Sequence, residues 1–235
     1  MNVIIDTIKN TIITDWGKLL VDDKFINNYK LTDTYNKVSH LLLTGKECVD
    51  YYPQTCNIFK CFNSFNIQDT KIVLLGQDPY HNKDKNGIPY ADGLSFSFNK
   101  NLGYNIKAKY SLSNIFKEIN KEFNVTRTTS SLQDLASQGV LLLNTILTVR
   151  PGNSKSHNKI YGWETFTNAI IRHIDINVNG VDFLLLGKEA EKKKDLIINK
   201  NSNIIIAGHP SPLNKSGTFL GSNCFLKCKN KIKWG

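Results

Sequence analysis

The sequence predicts an α/β fold: a central four-stranded parallel sheet flanked by helices, forming a single domain over residues 1–235. Two observations carry this. Four short, continuously apolar runs, Ile72–Leu75, Val140–Leu143, Phe183–Leu186 and Ile204–Ala207, read as strands buried on both faces. Between them, apolar residues recur at helical spacing: Leu112, Ile115, Phe116, Ile119 and Phe123 share one face, as do Phe166, Ala169, Ile170 and Ile174. Strands alternating with amphipathic helices are the pattern of a parallel sheet with helical crossovers. A length of 235 residues suits one sizeable core, and no repeat or low-complexity linker marks a boundary.

Ahead of the first strand, residues 1–65 read as helical with breaks. The stretch "WGKLLVDDKFINNYKLTDTYNKVSHLLLTG" repeats apolar residues every three to four positions, and "YYP" at 51–53 punctuates it. The N-terminal "MNVIIDTIKNTIITDW" lacks a signal-peptide pattern, and no apolar run approaches the ~18 residues of a membrane span. The chain therefore reads as soluble and intracellular, in the cytoplasm or, in a eukaryote, the nucleus, with no membrane partner. Lys and Arg number 30 against 20 Asp and Glu, a net charge of +10. That excess favours a polyanionic partner, nucleic acid ahead of an acidic membrane. The five cysteines, Cys48, Cys56, Cys61, Cys224 and Cys228, are odd in number and lack the usual CxxC spacing of zinc or iron–sulfur sites. They read as free thiols.

The loops after the strands are the informative part. The first strand runs into Gly76-Gln77-Asp78-Pro79-Tyr80-His81, the second into Asn144-Thr145, the third into Gly187-Lys188, the fourth into Gly208-His209-Pro210-Ser211-Pro212-Leu213. Ligands of open parallel sheets bind at the carboxyl ends of the strands, where all such loops emerge together. Asp78, Asn144 and His209 are therefore expected to converge. A carboxylate opposite an imidazole can position water, act as a base or stabilise a cation, while the imidazole stabilises developing negative charge. The motif turns hold no further carboxylate to complete a metal cage and no serine on a GxSxG elbow.

Five segments, "GQDPYH" at 76–81, "GLSFS" at 93–97, "QGVLLLNTILTVRPGNSKSHNKIYGWETFT" at 138–167, "SLSNIFKEI" at 111–119 and "HPSPL" at 209–213, closely resemble the family 1 uracil-DNA glycosylases. The resemblance spans roughly residues 50–235; the first 50 match only in being helical. It implies hydrolysis of the N-glycosidic bond of a uracil flipped out of single- or double-stranded DNA, without a cofactor or metal, as the first step of base excision repair. By the same resemblance Asp78 and His209 are catalytic: Asp78 offsets the oxocarbenium-like sugar and orients water, and His209 donates to uracil O2. Phe96 stacks on the base, Asn144 reads its edge, Tyr80 excludes a C5 methyl, and Gln77 lines the pocket. Ser111, Gly187, Lys188 and Ser211 hold the DNA backbone, and Leu213 is the wedge that fills the gap in the stack.

Three departures from the family pattern bear on DNA binding. Before Ser111 a proline-rich loop is replaced by "NIKAKYS", which brings Lys107 and Lys109; Lys188 stands where serine is usual; and "NKDKNGIPYAD" enlarges the loop between His81 and Gly93. The resemblance fits a monomer and leaves room for a protein inhibitor or a replication partner. The competing expectation is a replication-accessory DNA-binding protein on the same fold, its glycosylase activity secondary or lost.

Overall fold

The structure is a computed structural model, and it describes residues 3–99, 102, 110–127, 129–214 and 217–235. Four helices open the chain: α1 (Val3–Thr11), α2 (Asp15–Leu20), α3 (Asp23–Asn28) and α4 (Thr32–Thr44). Short 3-10 turns lead into β1 (Ile72–Gly76), followed by α5 (Ser111–Phe123), α6 (Gln133–Ala136), β2 (Val140–Asn144), α7 (Trp163–Asn177), β3 (Asp182–Leu186), α8 (Lys188–Glu191) and β4 (Asn203–Ala207). All strand pairs are parallel, in the order β2-β1-β3-β4. Each strand is one residue longer than its apolar run, because pairing also takes in Gly76, Asn144, Asp182 and Asn203.

The order fixes the place of the site. The crossover from β1 leads outward to β2, and the next returns past β1 to β3, so the crevice at the carboxyl ends of β1 and β3 is the topological switch point. β1, β2 and β3 are buried at every residue. β4 departs from the expectation of burial on both faces: Ile204 and Ile206 are exposed, because β4 is an edge strand with one open face.

The N-terminal helices belong to the same apolar core as the sheet. Tyr35 of α4 lies 6.2 Å from Phe166 of α7, and Trp16 of α2 lies 5.2 Å from Phe62, itself against Phe166. Apolar contact is continuous from Ile4 to Trp234. Buried aromatics of this size contribute about 1.5–3 kcal/mol each, so the first helices close the core rather than decorate it. Among the described residues, no helix is long and apolar enough to cross a membrane.

Candidate active site

One cavity of about 960 Å³ opens at the switch point. Gln77, Asp78, Tyr80, Phe96, Asn144 and His209 line it, and so do Ser111, Gly187, Lys188, Ser211 and Leu213. Residues far apart in the chain thus share one wall because parallel strands deliver their loops to one edge.

The β1 and β2 turns are stapled together. Thr145 N–H donates to the Gly76 carbonyl at 3.0 Å, and Ile146 N–H and Thr145 Oγ1 donate to the Gln77 carbonyl at 3.0 and 2.7 Å. Gln77 therefore acts on the site's shape through its backbone. In register, Gly76 faces Asn144, and a Cβ on Gly76 would collide with Asn144 Oδ1 and crowd Ser95 and Phe96. Glycine is needed there by close approach. Asn144 is 6% exposed, and its amide has no hydrogen-bond partner among the described residues. The residue lines the cavity, so this amide is available to a ligand there.

Asp78 is half-buried, and its Oδ2 accepts from Lys155 N–H at 2.7 Å. Burial pushes its carboxyl above the usual range, opposed by that N–H and by the nearby charges of His81 and Lys155. Lys155 sits in the left-handed region at φ 60°, so the loop must be held from elsewhere. Buried His157 supplies one anchor: Thr148 Oγ1 lies 2.9 Å from its Nδ1 and accepts from Trp163 Nε1 at 2.8 Å. Burial lowers the His157 pKa to about 4, so this imidazole is neutral and structural. Gly152 N–H adds a bond to the His81 carbonyl at 2.8 Å.

Phe96 also has a left-handed backbone, φ 62°, and lies in a turn rather than an alternating strand. Its neighbours fix it: Ser95 N–H donates to the Leu142 carbonyl at 3.0 Å, and Ser97 Oγ donates to Asp92, which pairs with Lys60. A non-glycine residue in that region costs of order 1–3 kcal/mol and persists where its surroundings over-determine it. The Tyr80 hydroxyl donates to the Phe96 carbonyl at 3.2 Å, and its ring packs edge-on against Phe98 at 4.5 Å. The two aromatics form one rigid corner.

On the opposite side, His209 is half-buried, with its ring 6.3 Å from that of Phe96. Its Nδ1 accepts from Ser211 N–H at 3.0 Å, which leaves the proton on Nε2. Burial first, and then the charge of Lys155, lowers its pKa below the usual value. Gly187, at φ 92°, lies beneath it: a Cβ there would come within 2.8 Å of His209 Cβ. This glycine thus seats the imidazole, beyond the backbone-contact role expected from sequence. Leu213 N–H donates to Ser211 Oγ at 3.2 Å, and the Leu213 side chain is 88% exposed, an apolar tip beside the cavity.

Sequence reasoning missed three residues of the site. Gly76 was legible as a turn former only. Lys155 acts through a main-chain bond, which has no side-chain signature. Glu189 lines the cavity from α8 and pairs with Lys192 at 2.8 Å. Lys107 and Lys109 lie outside the described residues. The enlarged loop is ordered locally, with Asp84 Oδ1 accepting from Asn86 N–H at 2.9 Å and Ile88 N–H at 2.7 Å.

Comparison with known proteins identifies the family of this fold. The family described as the uracil DNA glycosylase superfamily matches residues 62–233. A uracil-DNA glycosylase of Borrelia turicatae is 45% identical over 188 residues, 77% of this chain and 80% of the relative. One from Campylobacter jejuni is 40% identical over 230 residues, 97% and 92% of the two chains. Among solved structures, mimivirus uracil-DNA glycosylase superposes with TM-score 0.69 at 27% identity, covering 83% of this chain and 71% of that one. A mimivirus variant in complex with UGI gives TM-score 0.73 at 27% identity, with coverage of 87% and 72%. With the family matched over residues 62–233 and a relative 40% identical over 97% of the chain, the chain belongs to the uracil-DNA glycosylase superfamily.

Proposed function

We propose that this chain hydrolyses the N-glycosidic bond of uracil flipped out of DNA, releasing uracil and leaving an abasic site, with Asp78 and His209 as its chemical centre. The observation that carries this reading is the Asn144 amide, without a partner among the described residues, lining the same cavity as a Nε2-protonated His209. Asn144 can donate to uracil O4 and accept from N3–H, a pattern that cytosine reverses. A site that hydrogen-bonds one pattern rejects the other because its buried polar groups are left unpaired. Phe96 stacks on the base, and Tyr80 stands against C5.

Bond cleavage leaves positive charge on the sugar and negative charge on uracil. Asp78 offsets the first and orients the attacking water. His209 Nε2–H donates to uracil O2 as charge develops, which is worth about 2.7–4 kcal/mol for one such donor. Neutral imidazole suffices, and the lowered pKa of His209 keeps it neutral. Ser111, Lys188 and Ser211 take the DNA backbone at the rim, and Leu213 enters the gap left by the flipped base. UGI is bound to the mimivirus relative, and the shared fold supports a protein inhibitor of that kind as a ligand here as well.

The test is incubation with an oligonucleotide carrying one uracil, in EDTA, followed by alkali. Strand cleavage at the uracil is expected, with none in matched thymine and cytosine oligonucleotides. Absence of alkali-labile sites from the uracil strand would refute the reading.

A further inference from the structure

The side chain of Asn114, on the first turn of α5, donates from Nδ2 to the carbonyl of Pro210 at 2.9 Å. Nothing in the reaction scheme uses this bond. Yet the Pro210 carbonyl and the Ser211 N–H are the two ends of one peptide unit, and the Ser211 N–H is the donor to His209 Nδ1. A trans peptide is planar, with C=O and N–H pointing in opposite directions, so a bond at one end fixes the direction of the other. The proline ring already locks φ of Pro210, so ψ of Pro210 is the rotation that swings this plane. Asn114 restrains that rotation.

We infer that Asn114 is a positioning residue for His209: by gripping the carbonyl end of the Pro210–Ser211 peptide it holds the amide end on Nδ1, and so keeps the imidazole proton on Nε2. The inference rests on the reading of His209 as the donor to uracil O2, because only the Nε2–H tautomer presents that donor with Nδ1 occupied. Two further bonds among the described residues of this loop are local. Asn214 Nδ2 donates to the His209 carbonyl at 3.0 Å, and Leu213 N–H to Ser211 Oγ at 3.2 Å. Asn114 brings its restraint from a different element.

That element is itself fastened to the chain beyond the loop. On α5 the side chains at 114, 118 and 122 fall four residues apart on one face. Glu118, 1% exposed, accepts from Gly221 N–H at 2.7 Å and Asn223 N–H at 2.9 Å; Glu122 accepts from Leu226 N–H at 2.6 Å. The three form a ladder onto Pro210, Gly221, Asn223 and Leu226. Its lower rungs hold residues 221–226, and its top rung reaches the peptide that orients His209. Linked donors and acceptors in a half-buried chain also polarise one another, which strengthens the Ser211 N–H as a donor.

A merely structural Asn114 would cost the same whether or not His209 is present. The test is therefore single-turnover cleavage of a uracil oligonucleotide by Asn114→Ala in the wild-type and His209→Ala backgrounds. With His209 present, the rate should fall roughly tenfold while oligonucleotide affinity changes little; with His209 absent, it should fall less than about twofold. Equal losses in both backgrounds would overturn the inference. Nitrogen NMR of the histidines supplies the second measurement, with Asn114→Asp as a variant of the same shape that lacks the donor. His209 should be a single Nε2–H tautomer in the wild type and a mixture in both variants, and an unchanged tautomer in both would also overturn it. Full activity in His209→Ala would instead remove the reading of His209 as the donor, a distinct result.

Discussion

Two enclosed aspartates stand at opposite ends of the sheet and live under opposite rules. Asp182 opens β3 at the amino end and is fully buried. Its Oδ1 accepts from Asn203 Nδ2 at 2.7 Å and Lys229 N–H at 3.1 Å, and its Oδ2 from Asn230 N–H at 2.7 Å and Nδ2 at 2.9 Å. Every lone-pair direction is taken up in tying the C-terminal strap to the sheet. Asp78, at the carboxyl end, accepts from the main-chain N–H of Lys155 and not from a set of side-chain and strap donors, and burial raises its pKa. A carboxylate saturated with donors is structural, whereas one left short keeps capacity for water and for a cation. The difference is in the loops, since the strands beneath are alike.

The strongest way to break this comparison is to make the same change at both ends. Asp78→Asn should cut single-turnover cleavage by at least ~10²-fold while leaving the melting temperature unchanged or higher. Asp182→Asn should do the reverse: it turns one acceptor into a donor facing donors, for a stability loss on the order of 3 kcal/mol, with normal turnover per folded molecule. Paired kinetics and thermal melts on the two variants decide it. Loss of turnover in Asp182→Asn at full folding would show that the amino end also serves the chemistry.

The contrast also explains what the sequence could tell. Helices are legible because one-sided burial writes a period into the chain, strands because burial on both faces writes an unbroken apolar run, and the strand-end loops because their polar residues break that run. Hence all eleven residues expected at the site line one cavity. What escaped was main-chain geometry. The left-handed φ of Phe96 and Lys155 leaves no mark where glycine is absent, and the Lys155 bond to Asp78 spans 77 positions. Asn114 had a faint signal, a polar residue every fourth position on α5 through Glu118 and Glu122, but its partner is a carbonyl 96 residues away. The open face of β4 was hidden because edge and central strands share the same composition when one face meets solvent only in part.

A smaller effect sharpens the account of charge at the carboxyl end. The proposed chemistry needs Asp78 ionised and His209 neutral, so activity should fall as pH drops through their pKa values. The Lys155 charge lowers both, as does His81 for Asp78. Lys155→Gln keeps the N–H to Asp78 and removes only the ammonium. Whichever group sets the acid limb, its pKa must then rise, so the midpoint of the pH–rate profile should move to higher pH. A midpoint that stays put would mean that solvent screens Lys155 from the site.

The smallest expected effect concerns a third acid, Glu122, which lies between the two extremes. Its Oε2 accepts from Leu226 N–H, while its Oε1 is buried with no partner among the described residues. Burial, with the Glu118 carboxyl beside it, pushes its pKa up to about 7. The folded state prefers the neutral form of this acid, so the stability Glu122 confers is fully present below its unfolded pKa near 4.5. It is lost progressively as pH rises from there through about 7. Glu122→Gln holds the neutral shape at all pH, with a carbonyl for Leu226 N–H and an amide donor for Glu118. The variant should therefore match the wild type at pH 4.5 and melt higher at pH 8. Partial exposure screens the charge and keeps the gain small. Even ~1 kcal/mol moves the melting temperature by roughly 2–4 °C in a chain of this size, which calorimetry resolves. A gain of equal size at both pH values would mean that the substitution improves packing, and that Glu122 is ionised in the fold like an ordinary surface acid.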